Sequence, residues 1–129
     1  MIRTHGLTHV ALGVRDASAS FRFYEQVFGV VKVYHEGGFL QAQTPGTRDV
    51  LVFDESATHV GKRGGIAHFG FRLVDASDID AARSAVEAAG GKVREQGEFA
   101  PGAPYLFATD LDGYEIEIWF EPPTLVDPA

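Results

Sequence analysis

The chain has 129 residues, 45% of them hydrophobic and 22% charged, which fits one globular domain with a core of its own. It holds no cysteine, so disulfides, a thiolate nucleophile and a thiolate metal site are excluded. With 18 acidic against 11 basic side chains and a formal charge of -7, its basic residues lie singly apart from Lys62 and Arg63, which argues against a nucleic-acid partner. Arg15, Asp16, Arg22 and Glu25 interrupt the apolar pattern near the start, so neither a signal peptide nor a membrane span is predicted, and the expected location is cytoplasmic.

The first segment opens at His9 and carries Val10, Leu12 and Val14 at alternate positions up to Asp16, which reads as a strand. Phe21, Tyr24 and Phe28 then recur at helical spacing over residues 18–28. Asp16 or Ser18 is available to cap the first amides, and Gly29 stops the helix. Strand-like segments follow at residues 30–35, 39–43 and 50–54, divided by turn signals at Gly37-Gly38 and Pro45-Gly46. This first module covers about residues 5–54, and residues 55–64 form a linker.

The same order then returns. His68 precedes Phe69, Phe71 and Leu73 at alternate positions, ending at Asp75. Ile79, Ala82 and Val86 mark a second helix over residues 78–89, with Ser77 as its N-cap, Asp80 three residues on, and Gly90-Gly91 closing it. Strands are expected at 92–98, 105–109 and 114–120, so the second module covers about residues 65–120. In the tail, residues 121–129, Pro122 and Pro123 lack the N–H donors a central strand needs. Two tandem βαβββ units predict an α+β fold of mixed sheets.

Strand parity sorts the side chains. Val10, Leu12 and Val14 belong against a helix, which leaves His9, Ala11 and Gly13 on the other face. Phe69, Phe71 and Leu73 likewise leave His68, Gly70 and Arg72, and in the last strand Ile116 and Ile118 leave Glu115, Glu117 and Trp119. Two imidazoles and a carboxylate on such faces make a 2-His-1-carboxylate set, which holds a divalent ion on one side and leaves positions open for substrate. The predicted ligands are His9, His68 and Glu117. Phe39, Phe53, Arg72, Phe107 and Trp119 are expected around a substrate, with Gln41, Tyr105 and Glu115 as orienting or proton-moving groups.

The run His9, Val10, Ala11, Leu12 through Asp16, Ser20, Phe23, Tyr24, Phe28 and Gly29 resembles the vicinal oxygen chelate superfamily, also called the glyoxalase, bleomycin resistance and extradiol dioxygenase superfamily. So do Ile66 to Phe71, Ala89-Gly90-Gly91, and Asp110-Leu111-Asp112-Gly113 with Tyr114 to Ile118. The resemblance implies two βαβββ modules whose sheets curve around a cleft, and a divalent ion (Fe2+, Mn2+, Zn2+ or Ni2+) at His9, His68 and Glu117. It also implies a small-molecule substrate chelated through vicinal oxygens, and a homodimer.

The chain departs from the family pattern at several points. Leu111 stands where the turn usually has proline. Phe107 stands near the tyrosine of extradiol dioxygenases, with Tyr105 at the same strand parity. Arg72 and Arg48 are the few candidates for a phosphonate-binding cluster, and Asp54 is the one acid ending the first module. Dioxygenase-type chemistry is expected ahead of lyase or isomerase chemistry and of thiol addition to an epoxide. The alternative is a metal-free, bleomycin-resistance-like protein that sequesters a basic or aromatic molecule.

Overall fold

The computed structural model describes residues 1–128. Its elements run β1 (His9–Gly13), α1 (Ala17–Phe28), β2 (Val31–Glu36), β3 (Phe39–Gln43), β4 (Val50–Asp54), β5 (Phe69–Arg72), α2 (Ile79–Ala88), β6 (Lys92–Ala100), β7 (Ala103–Thr109) and β8 (Glu115–Trp119). They form two four-stranded mixed sheets, ordered β1-β4-β3-β2 and β5-β8-β7-β6, each with one long helix. The chain divides into two compact units: residues 1–62 with 111–113, and residues 63–110 with the chain from 114 onward. No helix among the described residues is long and apolar enough to cross a membrane.

In the first unit β1 runs parallel to β4, and the remaining pairs are antiparallel. Asp16, not Ser18, caps α1: its backbone is extended and its carboxylate accepts from Ala19 N at 3.0 Å. Gly29 ends the helix at φ 70°, where a Cβ is disfavoured, and its N–H reaches Glu25 O. The apolar face of α1 packs on the sheet through Tyr24, fully buried 5.3 Å from the Phe53 ring, with Leu12, Leu40 and Leu51 around them. Each such side chain contributes about 1.5–3 kcal/mol by leaving water. The turn at residues 111–113 packs in this unit, where Asp112 accepts from Arg15 N, Arg15 Nε and Ser20 Oγ.

In the second unit β5 runs parallel to β8, and Leu106, Ala108, Ile116 and Ile118 form a fully buried layer with Val86 of α2. The entry to α2 corrects the sequence reading. Asp75, not Ser77, caps a 3-10 turn over Ala76–Asp78, accepting from Ser77 N at 2.9 Å and Ser77 Oγ at 2.8 Å. With its hydroxyl donating backwards, Ser77 does not cap α2, and Asp80 accepts from Gln96 Nε2 instead of closing a capping box. The exit is as expected: Gly90 adopts φ 98°, and Gly90 N and Gly91 N reach back to Glu87 O and Val86 O.

Both units carry a bulge at the same point of the repeat. β2 slips register between Lys32 and Tyr34, and β6 slips between Val93 and Glu95. The extra residue, Val33 in one and Arg94 in the other, leaves the strict alternation.

Candidate functional site

On the sheet face of the second unit turned away from α2, β8 presents Glu115, Glu117 and Trp119. β7 adds Tyr105 and Phe107, paired with Trp119 and Glu117 respectively. Gly70 lies beside Glu117 in β5, and His68 stands just before that strand. Here the structure brings two predicted ligands together: His68 Nε2 is 2.9 Å from Glu117 Oε2. The Glu117 side chain is only 15% exposed, and it meets no arginine or lysine among the described residues. The His68 and Phe107 rings meet in a T-shaped arrangement, centroids 5.1 Å apart.

Glu115, next along the face, is differently engaged. Arg94 Nε donates to its Oε1 at 2.6 Å and Arg63 Nη1 to its Oε2 at 2.7 Å, on a carboxylate that is 10% exposed. Both oxygens are therefore committed to guanidinium groups. The expectation that Glu115 moves a proton meets a group built as the centre of an ion-pair clamp.

Tyr105 donates to Glu95 Oε2 at 2.6 Å and stacks on Phe99 with ring centroids 4.1 Å apart. That hydrogen bond, then burial, then the Glu95 charge hold its phenol above the ordinary tyrosine range. In the first unit Tyr34 repeats the motif, its hydroxyl 2.6 Å from Glu36 Oε2, and that bond followed by burial raises its pKa too. A phenol raised in the folded state stabilises the fold fully below the unfolded value, and this stability is lost as pH rises through the folded value. Between about pH 9 and about pH 11, wild-type protein should therefore lose more thermal stability than a Tyr34→Phe, Tyr105→Phe double variant. Melting curves at both pH values check this.

The Trp119 ring approaches Gly70 closely. A Cβ at Gly70 would fall 2.7 Å from Trp119 Cζ3 and 2.9 Å from the Glu117 carbonyl oxygen. Gly70→Ala should therefore cost about 1–3 kcal/mol in urea unfolding, by overpacking. Because the chain has a single tryptophan, its emission should shift in the folded variant.

Arg72 is tied to the tail. Its Nη2 donates to Glu121 O and Pro122 O and pairs with Asp127 at 3.0 Å, so its guanidinium is engaged by the tail.

In the first unit His9 is exposed on β1, opposite Val50 and on one face with Ala11. The position that matches Glu117 in the repeat is Val52, so this sheet supplies an imidazole without a carboxylate beside it. Phe39 and Gln41 line an open hollow of about 550 Å³ with Tyr34 and Glu36. Asp54 accepts from Ser56 N and Oγ, which holds its carboxyl below the usual range.

Phe53 corrects the sequence reading. It is fully buried against Tyr24 on the helix side, because alternation in β4 turns Val50 and Val52 one way and Leu51 and Phe53 the other. Among the described residues, no three histidine, aspartate or glutamate side chains gather as a metal-holding group. The residues that sequence reasoning missed are Arg63, Arg94 and Glu95. The bulge frees Arg94 to cross the face, and a bulge leaves no mark in the apolar pattern.

A family model described as the Glyoxalase/Bleomycin resistance protein/Dioxygenase superfamily matches residues 6–118. A search of curated proteins returns no match. Among solved structures, a glyoxalase-related enzyme from Fulvimarina pelagi is 23% identical, with a TM-score of 0.76 over 98% of this chain and 96% of its own. The fosfomycin resistance protein FosX from Listeria monocytogenes is 18% identical, with a TM-score of 0.77 over 95% of this chain and 96% of its own. A mutant of that protein has been solved with Mn(II) and 1S,2S-dihydroxypropylphosphonic acid. Lactoylglutathione lyase from Agrobacterium tumefaciens is 21% identical, with a TM-score of 0.69 over 91% of this chain and 94% of its own. At these identities the likeness is one of fold.

Proposed function

We propose, because this chain belongs to the glyoxalase/bleomycin resistance protein/dioxygenase superfamily, that it is a divalent-metal-dependent enzyme acting on a small substrate through two neighbouring oxygens. The observation that carries this reading is the His68–Glu117 pair. A neutral nitrogen donor and a carboxylate oxygen stand 2.9 Å apart on one sheet face, and these two side chains would hold such an ion. The sulfur-free donor set suits Fe(II), Mn(II), Zn(II) or Ni(II). We add His9, exposed on β1, as the third ligand from the sequence pattern alone.

When bound, such an ion supplies Lewis acidity toward a chelated oxygen. The rest falls to the chain. Glu117 brings negative charge and His68 a neutral nitrogen donor. Phe107 and Trp119 exclude water from one side, and Gln41 offers an amide to orient substrate. Tyr105, kept protonated with its one O–H proton on Glu95, offers a substrate its ring and an acceptor oxygen and does not act as a base.

Within the superfamily we favour dioxygenase-type chemistry. Arg63, Arg72 and Arg94 are each engaged by a carboxylate, which argues against a free cationic cluster for a phosphonate. The same face offers the rings of Phe99, Tyr105 and Phe107 to an apolar substrate. We also read the protein as a homodimer, since edge strand β2 leaves Val31, Val33 and Tyr34 about half exposed.

The test is elemental analysis of protein purified without added metal or chelator, beside a His9→Ala, His68→Ala double variant. Near-stoichiometric metal in wild type and its loss in the variant is the expected result. Wild type that stays empty after incubation with each of the four ions would overturn the reading.

One observation favours a second reading, metal-free sequestration of a basic aromatic molecule. The hollow on the first unit combines the Tyr34 and Phe39 rings with the Glu36 carboxylate. Calorimetry with a cationic aromatic compound on metal-free protein, compared with Glu36→Gln, tests it.

A further inference from the structure

We infer that Glu115 is the hub of a two-armed clamp whose purpose is to fix His68, its backbone through one arginine and its ring through the other. This rests on the reading of His68 as a metal ligand. The first arm is Arg63: one Nη1 donates to Glu115 Oε2 at 2.7 Å and also to Ala67 O at 3.1 Å, the carbonyl immediately before His68. His68 stands outside β5; Arg63 ties the backbone just before it to β8, while the His68 ring meets Glu117 of the same strand directly.

The second arm is Arg94. Its Nε donates to Glu115 Oε1 at 2.6 Å, and its guanidinium carbon sits 5.0 Å from the centre of the Phe107 ring. Phe107 in turn makes a T-shaped contact with the His68 imidazole. Arg94 thus presses the wall that the imidazole leans on, while Glu95 takes a further Arg94 donor at 3.3 Å.

Charge accounts for the choice of residues. A carboxylate that is 10% exposed needs both its oxygens satisfied, and two guanidinium groups, each about half exposed, do so without burying a cation. Glutamine at 115 would keep the shape and one acceptor oxygen, but it would set an amide N–H against the donors of one arginine. One arm must then release. The β6 bulge is part of the device, since it takes Arg94 out of strand alternation and turns it toward Glu115. Glu115 is thereby a positioning residue, acting on the proposed ligand through both arginines, and not a proton carrier.

The experiment uses wild type, Glu115→Gln, Arg63→Gln and, as a control, Val86→Ala, which loosens the buried layer of the same unit without touching the clamp. Two quantities are read: the line width of the His68 ring nitrogens in metal-free protein by NMR, and Mn(II) affinity by titration. The expected result is exchange broadening of the His68 signals and about 10- to 100-fold weaker Mn(II) binding in Glu115→Gln and Arg63→Gln, the range typical when a ligand's supporting group is lost. Val86→Ala should show neither effect.

Unchanged His68 signals in both clamp variants, or the same broadening in Val86→Ala, would overturn the clamp. If wild type binds no Mn(II), the metal reading fails by itself, and the metal-free NMR comparison still decides the clamp. Arg63 is about half exposed at the surface, so its variant keeps the test open should Glu115→Gln not fold.

Discussion

Replacing Glu117 with alanine is expected to weaken Mn(II) binding by more than about 100-fold while the protein stays folded. Losing a group that merely supports a ligand costs about 10- to 100-fold, and loss of the only carboxylate in a ligand set should exceed that range. The fold should survive because β8 is held by backbone pairing to β5 on one side and β7 on the other, and Ile116 and Ile118, the residues that pack the core, are untouched. Thermal unfolding gives an independent reading. At a Mn(II) concentration 100 times the wild-type dissociation constant, linkage stabilises wild type by about 2.7 kcal/mol, and a variant binding 100-fold more weakly gains about 0.4 kcal/mol. Glu117→Gln should behave like the alanine variant, since it preserves shape but removes the charge. Equal metal-induced stabilisation of wild type and both variants would show that any ion binds elsewhere.

That His68 and Glu117 both turn away from the core is legible in the sequence, because alternation is a local property, whereas the β5–β8 pairing that brings them together is not. Once Ile116 and Ile118 are assigned to the core, Glu117 must face away from it, and the same rule turns His68 and Gly70 to that side. Phe53 follows the rule as well: counted against Leu51, it belongs to the helix face, and an aromatic ring next to a predicted site is not for that reason turned into it. What the sequence hides is non-local or breaks the pattern. Arg94 escapes alternation at a bulge, and its partner Glu115 lies on another strand, so nothing near either residue announces the other. Lys62 and Arg63 read only as neighbouring charges until Arg63 is seen across from Glu115. The cap of α2 misleads for a related reason. Asp75 and Ser77 are both good capping residues, and a short 3-10 turn decides between them by making the serine hydroxyl a donor.

Asp112→Ala should cost about 1–3 kcal/mol, a large effect for a residue that sits in a turn. Its side chain is 3% exposed, and it satisfies three donors of the first unit: Arg15 N at 3.2 Å, Arg15 Nε at 3.0 Å and Ser20 Oγ at 3.1 Å. Ser20 is itself 3% exposed, so removing the carboxylate strands a buried hydroxyl that water does not easily reach. The Arg15 side chain is 70% exposed and recovers its hydration, so the salt bridge itself accounts for little of the loss. Most of the cost lies in the one buried donor left unsatisfied, Ser20 Oγ. Asparagine keeps the Oδ1 acceptor for Arg15 but offers an amide N–H to Ser20, whose hydroxyl can turn to accept, so Asp112→Asn should recover about half of the stability. Urea titration should give a lower midpoint with an unchanged slope for both variants. A double variant with Ser20→Ala should lose less than the sum of the two single changes, because the stranded hydroxyl is then gone. Strict additivity would mean that the Ser20–Asp112 bond contributes nothing to holding the turn on α1.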